Sequence, residues 1–130
     1  MAMGMNVAGV RVATVASYFY GSDEYYARYG NNSAYVTSLY WSILGRGPDG
    51  GQGYWVSLLD QGTARTVVSG SFYLSLESNG RRVDALYQQL LGRSTDPAGR
   101  DYWAHQLQNI DDIVLAALLT GSDEFWNNNH

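Results

Sequence analysis

The chain has 130 residues, 45% hydrophobic and 15% charged, which fits one folded domain and excludes a compositionally disordered chain. Eight Arg, no Lys and twelve acidic residues give a net charge of −4, which argues against a nucleic-acid backbone or an anionic membrane surface as partner. Cysteine is absent, so disulfides, thiolate catalysis and Cys-based zinc sites are excluded, and no apolar run approaches the roughly 18 residues needed for membrane insertion.

The opening MAMGMNVAGVRVATVASYFYG is faintly like a signal peptide, but Arg11 interrupts its apolar run and no basic residue precedes it. It reads instead as a chain start running into a helix. Val12, Val15, Ala16, Phe19 and Tyr20 recur at helical spacing. In YGSDEYY, Ser22 suits an N-cap, and Asp23 and Glu24 suit the positive end of a helix dipole. Gly30-Asn31-Asn32 marks a loop. Val36, Leu39, Tyr40, Ile43 and Leu44 draw an apolar stripe that ends at Gly45-Arg46, where glycine can take a left-handed conformation. After Asp49 and a glycine-rich turn, Tyr54-Trp55 and Leu58-Leu59 begin another helix, closed by Gly62-Thr63. Ala64, Val67, Val68, Ser71 and Phe72 form the next run.

The same order then returns. LSLESNG offers Ser75 and Glu77, with Ser78-Asn79-Gly80 read as a loop. Val83, Leu86, Tyr87, Leu90 and Leu91 repeat the earlier stripe 47 positions on and end at Gly92-Arg93. Asp96-Pro97 is a helix start, because the carboxylate caps free N–H groups and proline fits the first position. Tyr102-Trp103 and Leu107 follow, then Ile110, Ile113, Val114, Ala117 and Leu118, then TGSDEFW with Ser122 and Glu124. WNNNH reads as a frayed tail.

No run alternates with period two, so the fold class is all-α. A copy of about 47 residues is too small to bury its own stripe. The sequence therefore predicts one compact domain over 1–130, built from two helix-turn-helix repeats sharing one core. The repeats span about 32–78 and 79–127, and 1–30 forms a partial preceding repeat.

The pattern L-Y-x-x-L-L-G-R-x-x-D-x-x-G-x-x-Y-W, with S-x-E between copies, resembles the bacterial domain-of-unknown-function family 4214. It is distantly similar to the helical linker domain of phycobilisomes. The likeness covers roughly positions 12–126. The first copy departs from it by one residue fewer between Asp49 and Trp55, and Asn109-Ile110 stands where the first copy has Gly62-Thr63. The resemblance implies an extracellular or surface-associated accessory module of a bacterial protein rather than an enzyme. It sets no common activity.

Candidate sites follow from residue type. Asp49 and Asp96, with Asp101, are weak calcium candidates, since a D-x-x-G turn presents oxygens, but calcium takes six to eight ligands and no EF-hand spacing is present. Capping explains both aspartates better, and no cofactor is expected. Arg46 and Arg93 could grip an anion, yet their recurrence favours a structural part in the turn alongside Gly45, Asp49, Trp55, Gly92, Asp96 and Trp103. His105, with Asp101 four residues before it, reads as a surface hydrogen bond, and His130 as terminal. No G-x-S-x-G elbow or phosphate-loop lysine exists. The aromatics off the stripes are Tyr25, Tyr26, Tyr29, Tyr35, Trp41 and Trp126, and of these Tyr25, Tyr26, Tyr29, Trp41 and Trp126 are the candidate ligand residues. The expected function is a non-enzymatic binding or attachment module with a glycan or cell-surface polymer as ligand. The alternative is a structural module that packs against neighbouring protein modules.

Overall fold

A computed structural model describes residues 11–122, and every described regular element is helical. The chain falls into two units, one ending at Tyr73 and the next beginning at Leu74. The first holds α1 (Val12–Tyr20), α2 (Asp23–Ala27), α3 (Asn32–Leu39), a π-helical continuation of it (Tyr40–Leu44), α4 (Gln52–Asp60) and α5 (Arg65–Tyr73). The second holds α6 (Leu76–Leu91), α7 (Pro97–Gln106) and α8 (Asp112–Thr120). Each unit gathers its own cluster of buried apolar side chains. Unit one includes α1 and α2, the partial preceding repeat, beside the first full copy.

The punctuation residues act as their chemistry dictates. Ser22 and Ser75 accept from the backbone N–H of Tyr25 and Ser78, at 3.1 and 3.2 Å. Gly45 and Gly92 both close their helices at φ 69°, a left-handed conformation that costs a residue with a Cβ. Asp96 caps α7, accepting from Gly99 N, with Pro97 at the first helical position. Asp49 acts differently. It accepts from Gly51 N at 2.8 Å, and Gly51 itself occupies the N-cap of α4.

The predicted stripe of α3 is buried throughout: Val36, Leu39, Tyr40, Ile43 and Leu44 all belong to the core. Trp55 packs on that cluster, its ring 5.1 Å from Phe72. In unit two Val83, Tyr87, Leu91, Leu107, Leu115 and Leu119 form the core, and Trp103 packs against it. Homologous contacts tie the helices of each copy. Gln52 of α4 donates to Thr37 of α3 at 2.8 Å, and Arg100 of α7 pairs with Asp84 of α6 at 3.4 Å.

Two expectations fail for physical reasons. Ser78, Asn79 and Gly80 are buried inside α6 rather than forming a loop. The Asn79 amide donates to the Ala104 carbonyl at 2.9 Å, and a Cβ at Gly80 would stand 3.1 Å from Arg100 Cδ. Tertiary packing overrides the weak propensities of these residues. The stripe of the third helix also fails, in part in α5 and as a whole in α8. In α5 Val68 and Phe72 face inward as predicted while Val67 is exposed; in α8 Leu115 and Leu119 face inward, while the predicted Ile113, Val114 and Leu118 are exposed. Val15 and Phe19 of α1 are exposed too. A helix apolar on most sides gives no unique stripe to read.

Candidate functional site

Trp41 and Ser42 lie in the π-helical stretch Tyr40–Leu44, whose counterpart in unit two is ordinary α-helix to Leu91. Such π segments are uncommon and are often found at functional sites. The Trp41 indole is 60% exposed, and a Cβ at Gly47 would stand 3.4 Å from its Cζ2, so the missing side chain leaves room for the ring edge. Beside it opens a groove of about 470 Å³, lined by Tyr29, Ala34, Thr37, Ser38, Trp41 and Ser42. Two aromatic rings and three hydroxyl side chains surround this space, and none of its lining residues carries a carboxylate, guanidinium or imidazole.

The hydroxyls are positioned from below. Ser38 Oγ donates to the Tyr35 carbonyl at 2.6 Å and accepts from the Tyr25 hydroxyl at 3.0 Å. Ser42 Oγ lies 3.1 Å from the same phenol oxygen. Tyr25 is only 3% exposed, and its ring touches those of Tyr20, Tyr29 and Tyr35. The expectation that Tyr25 presents a wet surface is therefore corrected: it is a buried core residue whose hydroxyl holds Ser38 and Ser42 from behind. A hydrogen bond with Tyr25, then burial, raises the pKa of Tyr29 above the ordinary phenol value. Tyr26 donates to Asn32 at 2.8 Å and carries the Arg65 guanidinium over its ring, so it braces the fold outside the groove. Trp126 lies outside the described residues.

The turn arginines take structural positions. Arg46 lies over the Tyr40 ring and Arg93 over the Tyr87 ring, 5.4 and 5.1 Å from the centroids. Each donates to the next residue's carbonyl, Gly47 and Ser94. Arg46 also pairs with Asp49 at 3.0 Å. The Asp49 carboxylate further accepts from the Tyr40 hydroxyl at 2.9 Å. These bonds, the Gly51 N–H foremost, lower its pKa.

Asp101 lines a second pocket of about 430 Å³ with Glu77, Arg81 and Arg100. His105 Nδ1 sits 2.8 Å from the Asp101 carbonyl oxygen, the surface bond its spacing predicts. Among the described residues no three metal-ligating side chains converge.

The repeated LY…GR…D…YW turn, built twice with the same glycine conformation and the same arginine–tyrosine stacking, is matched by the profile of a domain of unknown function (DUF4214) over residues 16–82 and 77–129. The chain belongs to the DUF4214 family. No curated protein and no solved structure matches it. Within this DUF4214 chain, no described helix is long and apolar enough to cross a membrane.

Sequence reasoning missed Ser38 and Ser42, because serines on a helix carry no signal until a buried Tyr25 is placed behind them. It also missed Arg82, which stands where the first copy has Tyr35. Arg82 donates to Asp112, Ser78 and Asn79 at 2.6, 2.6 and 2.7 Å.

Proposed function

We propose that this chain is a non-enzymatic binding module of a secreted or surface-associated bacterial protein, taking an uncharged carbohydrate in the groove of Tyr29 and Trp41. The single observation behind this reading is the exposed indole of Trp41 over hydroxyls of Thr37, Ser38 and Ser42. An indole face is apolar and suits the C–H side of a pyranose ring, while serine and threonine hydroxyls exchange hydrogen bonds with sugar hydroxyls. The lining brings no acid–base pair or nucleophile with its base, the parts that bond cleavage needs. Titration calorimetry against bacterial cell-wall and host oligosaccharides tests it. Binding at millimolar or lower concentration is expected, and Trp41→Ala abolishes it without changing the melting temperature. Heat-silent titrations across the whole panel, with a folded sample, overturn the reading.

A further inference from the structure

The third helices of the repeats align without gaps: ASYFYGS (16–22), SGSFYLS (69–75) and AALLTGS (116–122). By this alignment Ser17, Gly70 and Ala117 are equivalent, as are Ala13, Thr66 and Ile113, and Gly21, Leu74 and Gly121. The first two of these helices pack on each other within unit one. A Cβ at Gly70 would stand 3.5 Å from Ser17 Cβ, and one at Gly21 would stand 2.8 Å from Thr66 N. Ser69 Oγ donates to the Ser17 carbonyl at 2.9 Å. As numbering rises from Ser17 to Gly21, its partner falls from Gly70 to Thr66, so α1 and α5 run antiparallel. Ser17 meets Gly70, its own equivalent, which makes the crossing pseudo-twofold.

Among the described residues the corresponding face of α8 is bare. Thr66 and Gly70 are half-buried, whereas their equivalents are exposed, Ile113 at 65% and Ala117 with it. Leu118 on the same side is 53% exposed. Gly121 occupies the place of Gly21, yet among the described residues a Cβ there would meet only its own helix. Small residues at a crossing exist to let a second backbone approach, and α8 carries them at both positions that α1 and α5 use.

We infer that α8 is a docking face for a second copy of this chain, pairing antiparallel with its α8 about a two-fold axis at Ala117. The in-chain α1–α5 pair shows what covers such a face: a helix of the same kind. Unlike α5, α8 has what the symmetric version needs. A two-fold through Ala117 sets Gly121 of each copy over Ile113 of the other, repeating twice the contact that Gly21 and Thr66 make once. In α5 the glycine place is Leu74, so α5 could not make it twice. An isologous pair of this type closes as a dimer.

Sedimentation velocity and disulfide trapping test this. The chain has no Cys, so Ala117→Cys introduces the sole thiol; it is expected to oxidise rapidly to a covalent dimer, while Gln61→Cys stays monomeric. Ala117→Arg should weaken the dimer on the order of 100-fold, because each copy would bury an unpaired charge at the axis, and should leave the melting temperature of the dilute monomer unchanged. A strict monomer at millimolar concentration overturns the inference. So does a dimer broken by Tyr18→Arg but not by Ala117→Arg, which would place α1 in the contact. A lower melting temperature for monomeric Ala117→Arg would show the face covered from within the chain, and also overturns it.

Discussion

Arg82 and Asp112 form an ion pair at 2.6 Å with side chains 16% and 18% exposed, and it locks α6 to α8. Asn79 and Ser78 also accept from the guanidinium, and Asn79 in turn holds the Ala104 carbonyl of α7. One polar network thus fixes all three helices of unit two. Pairs this far from water are costly to break singly, because the remaining charge stays buried without its counter-ion. Asp112→Ala is expected to cost about 3 kcal/mol in urea unfolding of unit two, whereas the double variant Arg82→Met/Asp112→Leu recovers most of it. A single-variant loss below about 0.5 kcal/mol would show that the pair behaves as a surface one.

Glycine has opposite consequences at different places in the fold. Gly45 and Gly92 sit at φ 69°, where a Cβ crowds the backbone, so Gly45→Ala and Gly92→Ala should each cost about 1 kcal/mol. Gly53 lies within α4 with open space around a would-be Cβ. There alanine restricts the unfolded chain without strain, so Gly53→Ala should stabilise by about 0.5 kcal/mol. Thermal unfolding of the three variants reads the change of sign.

Legibility in the sequence followed how uniquely a pattern maps to a physical cause. The LY stripes, the αL glycines and the serine caps were readable because each residue has one local job, and the structure places them accordingly. Ser78-Asn79-Gly80 looked like a loop because its composition is that of one; only Arg100 and the Ala104 carbonyl, far along the chain, make a buried helical turn favourable. The register of α8 was unreadable because its apolar residues nearly encircle the helix. Trp41 was legible as off-stripe, but the groove beside it depends on a π segment that the second copy, with the same spacing, does not form.

Unit one should weaken at high pH through its tyrosines. Tyr35 is fully buried, and its hydroxyl donates to the Tyr20 carbonyl at 2.7 Å. Burial foremost raises its pKa from 10.0 to about 12. The folded state therefore holds this proton more tightly than the unfolded state does. Its contribution is complete below pH 10.0 and is lost as pH rises toward about 12. Tyr20 and Tyr29 are shifted the same way, by burial and by a hydrogen bond with Tyr25 respectively. Urea midpoints should fall over this window, and Tyr35→Phe should flatten the fall. An unchanged slope in that variant would assign the alkaline loss to other groups.

Adjacent leucines of α8 distinguish the two ways of reading its face. Leu119 is 6% exposed in the core cluster of unit two, while Leu118 is 53% exposed. Removing buried methyl groups costs both their transfer energy and the cavity left behind. Leu119→Ala should therefore lose about 2–5 kcal/mol. Leu118→Ala should change stability by no more than about 0.5 kcal/mol in a dilute sample. Periodicity alone favoured the opposite order, since Ile110, Ile113, Val114, Ala117 and Leu118 share the helical spacing. Urea unfolding of both variants at one low concentration settles which leucine faces inward: a larger loss at Leu118 would mean that α8 is rotated about its axis by roughly one residue, about 100°.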